Sequence, residues 1–229
     1  MSIQNESFPA LSAAFSASEN VGLTSAPISG TSASGASVKR LFDLVLALLA
    51  LGMLLPLMAL IAAAIKLDSP GPVFFRQRRA GRHGRIFSIF KFRSMHVLED
   101  GADVVQAKTG DVRVTRIGRF LRRSSLDELP QLLNVVAGDM ALVGPRPHAL
   151  AHDAYYGNRI ANYRRRQLVR PGITGWAQVN GARGATPKLS DMQARIDFDL
   201  AYVERESFWL DLLILLRTPF EVLRRRNAV

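Results

Sequence analysis

The chain has no cysteine among its 229 residues, which rules out disulfides and thiol chemistry. Histidine is scarce: His83, His96, His148 and His152 are the only four. None stands at a zinc-ligand spacing, and the four-residue step from His148 to His152 lacks the glutamate of a metalloprotease helix. Acidic residues are also few, 19 against 30 lysines and arginines, for a formal net charge of +11. Up to Val38 the only charges are Glu6 and Glu19, so the rest of the chain carries +13, the +11 with those two removed. A body this basic suits an anionic partner, whether phosphates, nucleic acid or the inner face of a membrane. Aromatic residues make up 8% and do not recur as a stacking platform, so nucleic acid is not expected.

Residues 1–38 lack what a core needs. Ten serines lie between Met1 and Ser37 among alanines and glycines, a composition that predicts a disordered tail. A basic start and a continuous apolar stretch are both missing, which makes it a poor signal peptide. From Leu41 to Leu67 the chain turns almost wholly apolar. As one helix that run is about 40 Å long, enough to cross a bilayer. Lys39 and Arg40 precede it, and Lys66, Arg76, Arg78, Arg79 and Arg82 follow. Basic flanks on both sides hold both ends in the cytoplasm. Pro56 near the centre favours a kink or break. A single span stays open, but a re-entrant helix over 39–67 satisfies both observations.

Asp68-Ser69-Pro70-Gly71-Pro72 stops that helix. Val73-Phe74-Phe75 and Arg85 to Met95 then read as two short strands around a loop with Gly81 and Gly84. Alternation places Lys91 and Arg93 on one face, either as ligands for an anion or as guards on a solvated edge. Glu99 to Asp111 is a polar loop. Arg113 to Arg123 is a basic amphipathic helix, with Ile117, Phe120 and Leu121 at i, i+3, i+4.

Ser124 to Pro147 concentrates the candidate chemistry. Ser125-x-x-Glu128 has the form of a capping box, and first-turn acids are favoured by the helix dipole. That reading gives Asp127 and Glu128 a structural role. Pro130 alternatively places the helix start close to Asp127, with unpaired backbone N–H groups beside Arg122 and Arg123. A phosphate can sit there against a carboxylate able to attack it. Pro145 and Pro147 hold the backbone extended around Arg146, which presents its guanidinium with little freedom.

The run SLDELPQLLNVVAGDMALVGPRP, together with GPVFFRQ, KFRSM and VRPGITGWAQVNG in the same order, resembles the bacterial sugar transferases. These are the polyprenyl-phosphate hexose-1-phosphate transferases, or small monotopic phosphoglycosyl transferases, and the likeness is to the exopolysaccharide-initiating type. It covers about Lys39 to Arg226. The resemblance implies that Asp127 is the nucleophile, with Glu128 its partner. It implies magnesium, assigned to Asp127, attack on the β-phosphate of a UDP-sugar, and release of UMP. The sugar phosphate, with galactose or glucose as the hexose, then passes to undecaprenyl phosphate. Lys91, Arg122 and Arg146 fall on positions tied to phosphate or nucleotide binding, and Arg93 and Arg170 are placed in the same set. Pro56 matches the family proline that breaks the membrane helix, although Leu55 stands where a serine often precedes it. Longer members carry further transmembrane helices ahead of this unit; none is expected in these residues.

Beyond Pro147, Leu189 to Val203 is an amphipathic helix with Met192, Ile196, Leu200 and Val203 on one face. Phe208 to Phe220 is apolar but interrupted by Asp211, Arg217 and Pro219, and Arg224-Arg225-Arg226 follows. It is too short to span and suits the interface, with Trp209 at headgroup level. The expected fold is therefore α+β and mostly helical, a monotopic membrane protein. It comprises a tail over 1–38, a re-entrant helix over 39–67 and a catalytic body over 68–229 on the cytoplasmic face of the bacterial inner membrane. A non-catalytic anchor that binds anionic lipid is the rival reading. The residues do not speak to oligomeric state.

Overall fold

The computed structural model describes residues 33–96 and 110–224. Most of the expected tail, most of the polar loop after Glu99, and Arg225 and Arg226 lie outside that range. The chain begins with α1 (Ala33–Asp68), then β1 (Phe74–Ala80) and β2 (Ile86–Phe92), then α2 (Arg116–Ser124) and α3 (Gln131–Ala137). After these come β3 (Ala141–Val143), α4 (Leu150–Gly157), β4 (Gly172–Thr174), α5 (Trp176–Val179), α6 (Leu189–Arg205) and α7 (Phe208–Arg224). Single 3-10 turns lie at Arg82–Gly84 and Leu126–Glu128, and a longer one at Tyr163–Leu168.

The first helix starts earlier than expected and is not broken. It runs through Pro56 as one 36-residue element. Pro56 is exposed, while Ala47, Leu51, Leu54, Met58, Ile61 and Ile65 face the body on both sides of it. That stripe keeps the i+3, i+4 rhythm across the proline, so packing offsets the hydrogen bond that Pro56 cannot donate. The opposite face, with Leu41, Leu48, Leu49, Met53, Leu55 and Leu60, is bare. Within Ser37–Asp68 an 18-residue window reaches a mean hydropathy of 2.8, and the helix is long and apolar enough to cross a bilayer.

Both ends of α1 are fastened to one body. At its start the Lys39 ammonium donates to Asp211 and, at 3.2 Å, to the Tyr202 hydroxyl. Next to it Arg40 donates to the carbonyls of Val135 and Val136, a cation on the C-terminal end of α3. At its far end the Asp68 carboxylate accepts from the Ile117 amide at 3.1 Å. The last carbonyls there are taken by Arg93, which is 3% exposed. Its guanidinium donates to the carbonyls of Pro70 and of Ser69, the latter at 2.7 Å, and to the Ser69 hydroxyl at 3.0 Å. Arg93 therefore caps the end of α1, and its terminal nitrogens are not open to a substrate. Arg93 follows the last residue of β2, and neighbouring carbonyls take both of its terminal nitrogens.

The hairpin matches expectation: β1 and β2 pair antiparallel from Phe74↔Phe92 to Ala80↔Ile86. The strands β3 and β4 were not legible as strands. They pair parallel through Ala141↔Gly172 and Val143↔Thr174, and the backbones approach so closely that a Cβ on Gly172 would lie 2.1 Å from the Gly144 nitrogen. One hydrophobic cluster joins Ala47 of α1 to Phe87, Ile89, Val135, Val143, Tyr202 and Ile214. A second joins Met58, Ile61 and Ile65 to Phe92 and Leu121. The helix α7 turns Asp211 and Ile214 inward and leaves Trp209, Leu213, Leu216 and Phe220 bare. In α2 Leu121 is buried but Phe120 is exposed, so the three apolar residues expected on one face divide between two.

Replacing Arg93 by methionine removes bonds to buried carbonyls and should lower the unfolding free energy in detergent by about 2–3 kcal/mol. Affinity for a UDP-sugar should stay unchanged. A weaker affinity at unchanged stability would return Arg93 to the substrate site.

Candidate active site

The acidic pair sits on a turn between two helices. Ser125, after α2, has a left-handed backbone (φ 59°) that swings the chain into the 3-10 turn Leu126–Glu128. Pro130 then precedes α3. The expected capping box is absent. No side-chain cap bond is made by Ser125, and its hydroxyl accepts from Arg183 instead. The Glu128 side chain points away from the backbone to two cations, because a charge-assisted bond in a buried site outweighs a neutral cap.

Lys91 on β2 donates to Glu128 Oε1 at 2.9 Å. Arg146 grips the same carboxylate with both terminal nitrogens, one to Oε2 at 2.9 Å and the other to Oε1. Burial alone would raise the Glu128 pKa, but the Arg146 and Lys91 charges hold it well below the usual carboxylate range. Glu128 in turn makes Arg146 harder to deprotonate. Asp127 is treated differently. It is 7% exposed, and no hydrogen bond or ion pair among the described residues holds its carboxylate. Burial first, and then the negative charge of Glu128, push its pKa up to about 6 against the pull of Lys91, Arg122 and Arg146. One acid is tied down and spent; the other is unbound.

Each cation is placed by a different element. Asn134 of α3 fixes the edge of β2 that carries Lys91: it accepts from the Phe90 amide at 2.9 Å and donates to the Ser88 carbonyl at 2.7 Å. Around Arg146 three consecutive carbonyls are occupied, Pro145 by the Gly172 amide, Arg146 by Arg166, and Pro147 by Arg79 at 3.1 Å. The two prolines thus rigidify a segment that neighbours also pin. Arg122 on α2 is near enough to bias Asp127 and touches the Met95 sulfur at 3.7 Å.

One further expectation needs correction. Arg170 does not join the pair; its charged neighbours are Arg40 and Asp43 near the start of α1, Arg82 and Glu206. In its place stands Arg183, which the sequence reading missed. It bonds Ser125 and sits within electrostatic reach of Glu128, Arg146 and Asp127. An arginine between Gly181 and Gly184, directly after the VRPGITGWAQVNG run, was the available signal.

A cavity of about 320 Å3 opens beside the pair. Ala50 and Leu54 of α1 line it with Leu129, Leu132 and Val179, and Ser125, Glu128, Thr218 and Arg183 are among its polar lining. The described residues contain no group of three metal-ligating side chains. Both Glu128 oxygens are engaged, so Asp127 is the carboxylate open to a cation. One open carboxylate among cations could hold magnesium only together with a ligand's own oxygens, which is how magnesium is commonly held.

The raised Asp127 pKa carries a stability signature. The folded chain binds this proton more tightly than the unfolded one, so stability is full below about pH 4 and is lost as pH rises through about 6. Asp127→Asn escapes that loss. In the absence of divalent metal its melting temperature should match wild type near pH 4 and exceed it at pH 7.5. Equal melting temperatures at both would show that Asp127 is not strained by burial.

The model of the family described as bacterial sugar transferase matches residues 34–225. A UDP-glucose:undecaprenyl-phosphate glucose-1-phosphate transferase of Xanthomonas campestris pv. campestris is 56% identical over 191 residues, 83% of this chain and 40% of that protein. One of the same name from Caulobacter vibrioides is 55% identical over 190 residues, 83% of this chain and 71% of its own length. The exopolysaccharide production protein PSS of Rhizobium leguminosarum bv. phaseoli is 45% identical over 192 residues, 82% of this chain and 96% of that protein. The chain thus spans less than half of the Xanthomonas relative. The match runs from the apolar helix through both halves of the site, and the chain belongs to the bacterial sugar transferase family.

Proposed function

We propose that this chain transfers hexose-1-phosphate from a UDP-hexose, with glucose as the sugar, to undecaprenyl phosphate through a covalent phosphosugar on Asp127. The observation that carries this reading is the asymmetry of the pair. Glu128 is neutralised by Lys91 and Arg146, while Asp127 keeps an unbonded carboxylate in a site crowded with cations. A lipid-binding scaffold has no use for such a group. The names of the Xanthomonas and Caulobacter relatives support glucose and the undecaprenyl acceptor. The Rhizobium relative's name supports exopolysaccharide synthesis.

In the first step an Asp127 oxygen attacks the β-phosphorus of the donor. The bond from that phosphorus to the bridging oxygen breaks, and UMP leaves with the electron pair. In the second step an oxygen of the lipid phosphate attacks the same phosphorus, the bond to Asp127 breaks, and the carboxylate is restored. No net proton is needed at the aspartate. Arg146, Lys91 and Arg183 orient the diphosphate and stabilise charge on the transferring group. Glu128 keeps two of those cations fixed in the absence of substrate. A magnesium ion shared between Asp127 and the donor phosphates would screen the diphosphate and ease departure of UMP.

The two substrates come from different phases, and the layout suits both. The cavity runs from the polar end at Glu128 and Arg183 to Ala50 and Leu54 on the apolar helix, a path for the first isoprene units of the acceptor. The bare faces of α1 and α7 together suit a body seated on one leaflet. Fastening of both α1 ends to that body supports a re-entrant path at the cytoplasmic face of the inner membrane.

Incubating the detergent-solubilised chain with UDP-glucose and magnesium but no acceptor should release UMP and leave phosphoglucose on the protein. Asp127→Asn should do neither; labelling of that variant would move the nucleophile elsewhere. Ala50→Trp, which fills the cavity, should still form the intermediate but pass it on at least tenfold more slowly. Equal transfer would place the lipid outside this cavity. For topology, cysteines replacing Ser37 and Ser88, both exposed, should react only with reagents that reach the cytoplasm. Periplasmic labelling at position 37 would make the helix a span.

A further inference from the structure

Two arginines that touch no part of the carboxylate pair are buried behind it, and each holds backbone that carries a site arginine. Arg166, on the turn Tyr163–Leu168, is 4% exposed. It donates through Nη2 to the carbonyl of Arg146 and meets the Asp199 carboxylate at 2.8 and 3.0 Å. Arg195 of α6 is 6% exposed. It donates to the carbonyls of Ala182 at 3.0 Å and Gly184 at 2.6 Å, the residues on either side of Arg183. Asp199, one turn beyond Arg195 on α6, is 2% exposed and acts on both guanidinium charges.

We infer that Arg166, Asp199 and Arg195 form one positioning unit that sets the two site arginines, Arg146 and Arg183, relative to each other. The inference rests on the transferase reading proposed above. Three buried charges in a row are a poor way to stabilise a fold, because desolvation offsets most of their attraction. What such a cluster provides is geometry. Both loops need it. Residues 144–148 and 182–187 have no regular structure, and Gly181 and Gly184, with φ of 85° and 98°, leave the Arg183 loop locally soft. The Ala182 amide makes one bond of its own, to Ala177; the carbonyls at 182 and 184 are both Arg195's. Because Arg195 and Asp199, the partner of Arg166, both stand on α6 one turn apart, the two loops are referred to a single helix. A diphosphate held by Arg146 and Arg183 needs that spacing fixed, since an error of an ångström at a charged ligand is costly to the rate.

Double-mutant cycles test this directly. Arg195→Lys keeps the charge but cannot bond both carbonyls, and Arg166→Lys cannot bond both Asp199 and the Arg146 carbonyl. With kcat/KM for UDP-glucose read from UMP release, each should cost about tenfold. Arg195→Lys should cost less than twofold once Arg183 is already alanine, and Arg166→Lys less than twofold once Arg146 is alanine. The crossed pairs, Arg195→Lys with Arg146→Ala and Arg166→Lys with Arg183→Ala, should multiply. A purely structural role predicts the same loss in every background, and that result would overturn the inference. If either lysine variant does not fold, Asp199→Asn takes its place and should couple to both site arginines. UMP affinity measured by calorimetry on the same variants gives the cycle without turnover. Wild-type turnover is the separate control: its absence would count against the transferase reading, while the calorimetric cycle still decides the positioning unit.

Discussion

Two carboxylates on consecutive residues cannot both be buried and ionised unless fixed cations stand close by. The structure meets that constraint by an unequal division. Glu128 receives both close cations, at hydrogen-bond distance, and becomes a permanent part of the framework. Asp127 receives only their field, so its charge stays available. The cost of keeping it so is visible in a pKa pushed up to about 6. A reactive group held in a costly state requires rigid surroundings, and most of the fold's polar contacts supply that rigidity.

The surroundings come from distant parts of the chain. Lys91 arrives on a strand whose edge is closed by Asn134. Arg146 arrives on a proline-flanked segment with three carbonyls engaged. Arg183 arrives on a glycine-flanked loop gripped from α6. No one of these elements makes a site. Their common reference is the packed body beneath, where Val135, Val143, Tyr202 and Ile214 meet.

Periodicity made part of this legible. The hairpin, α6 and the apolar helix all follow from alternation or from i, i+3, i+4 spacing, because burial of one face is what those patterns record. Motif-level likeness brought out Asp127, Glu128, Lys91, Arg122 and Arg146. What pattern could not supply was the partner of a side chain. Alternation paired Arg93 with Lys91 but could not say that the carbonyls of Ser69 and Pro70 would take it. Local spacing made Ser125 and Glu128 a capping box, and contacts from residues 37 and 58 positions away overrode it. Pro56 was expected to kink or break the helix, and packing on either side of it, which pattern does not show, keeps the helix one element. Strands of three residues, such as β3 and β4, are too short to leave any period.

The apolar helix also changes where the folding unit begins. Hydropathy draws a line near Asp68, with a membrane segment before it and a body after it. The hydrophobic clusters ignore that line: Ala47 belongs to one, and Met58, Ile61 and Ile65 to the other. Lys39 completes a buried polar group with Tyr202 and Asp211, and Arg40 closes the end of α3. The helix α1 is therefore not an interchangeable label attached to a separate body. A change on its inner face calls for a matching change in α3, β2 or α7, whereas its exposed apolar residues touch none of them.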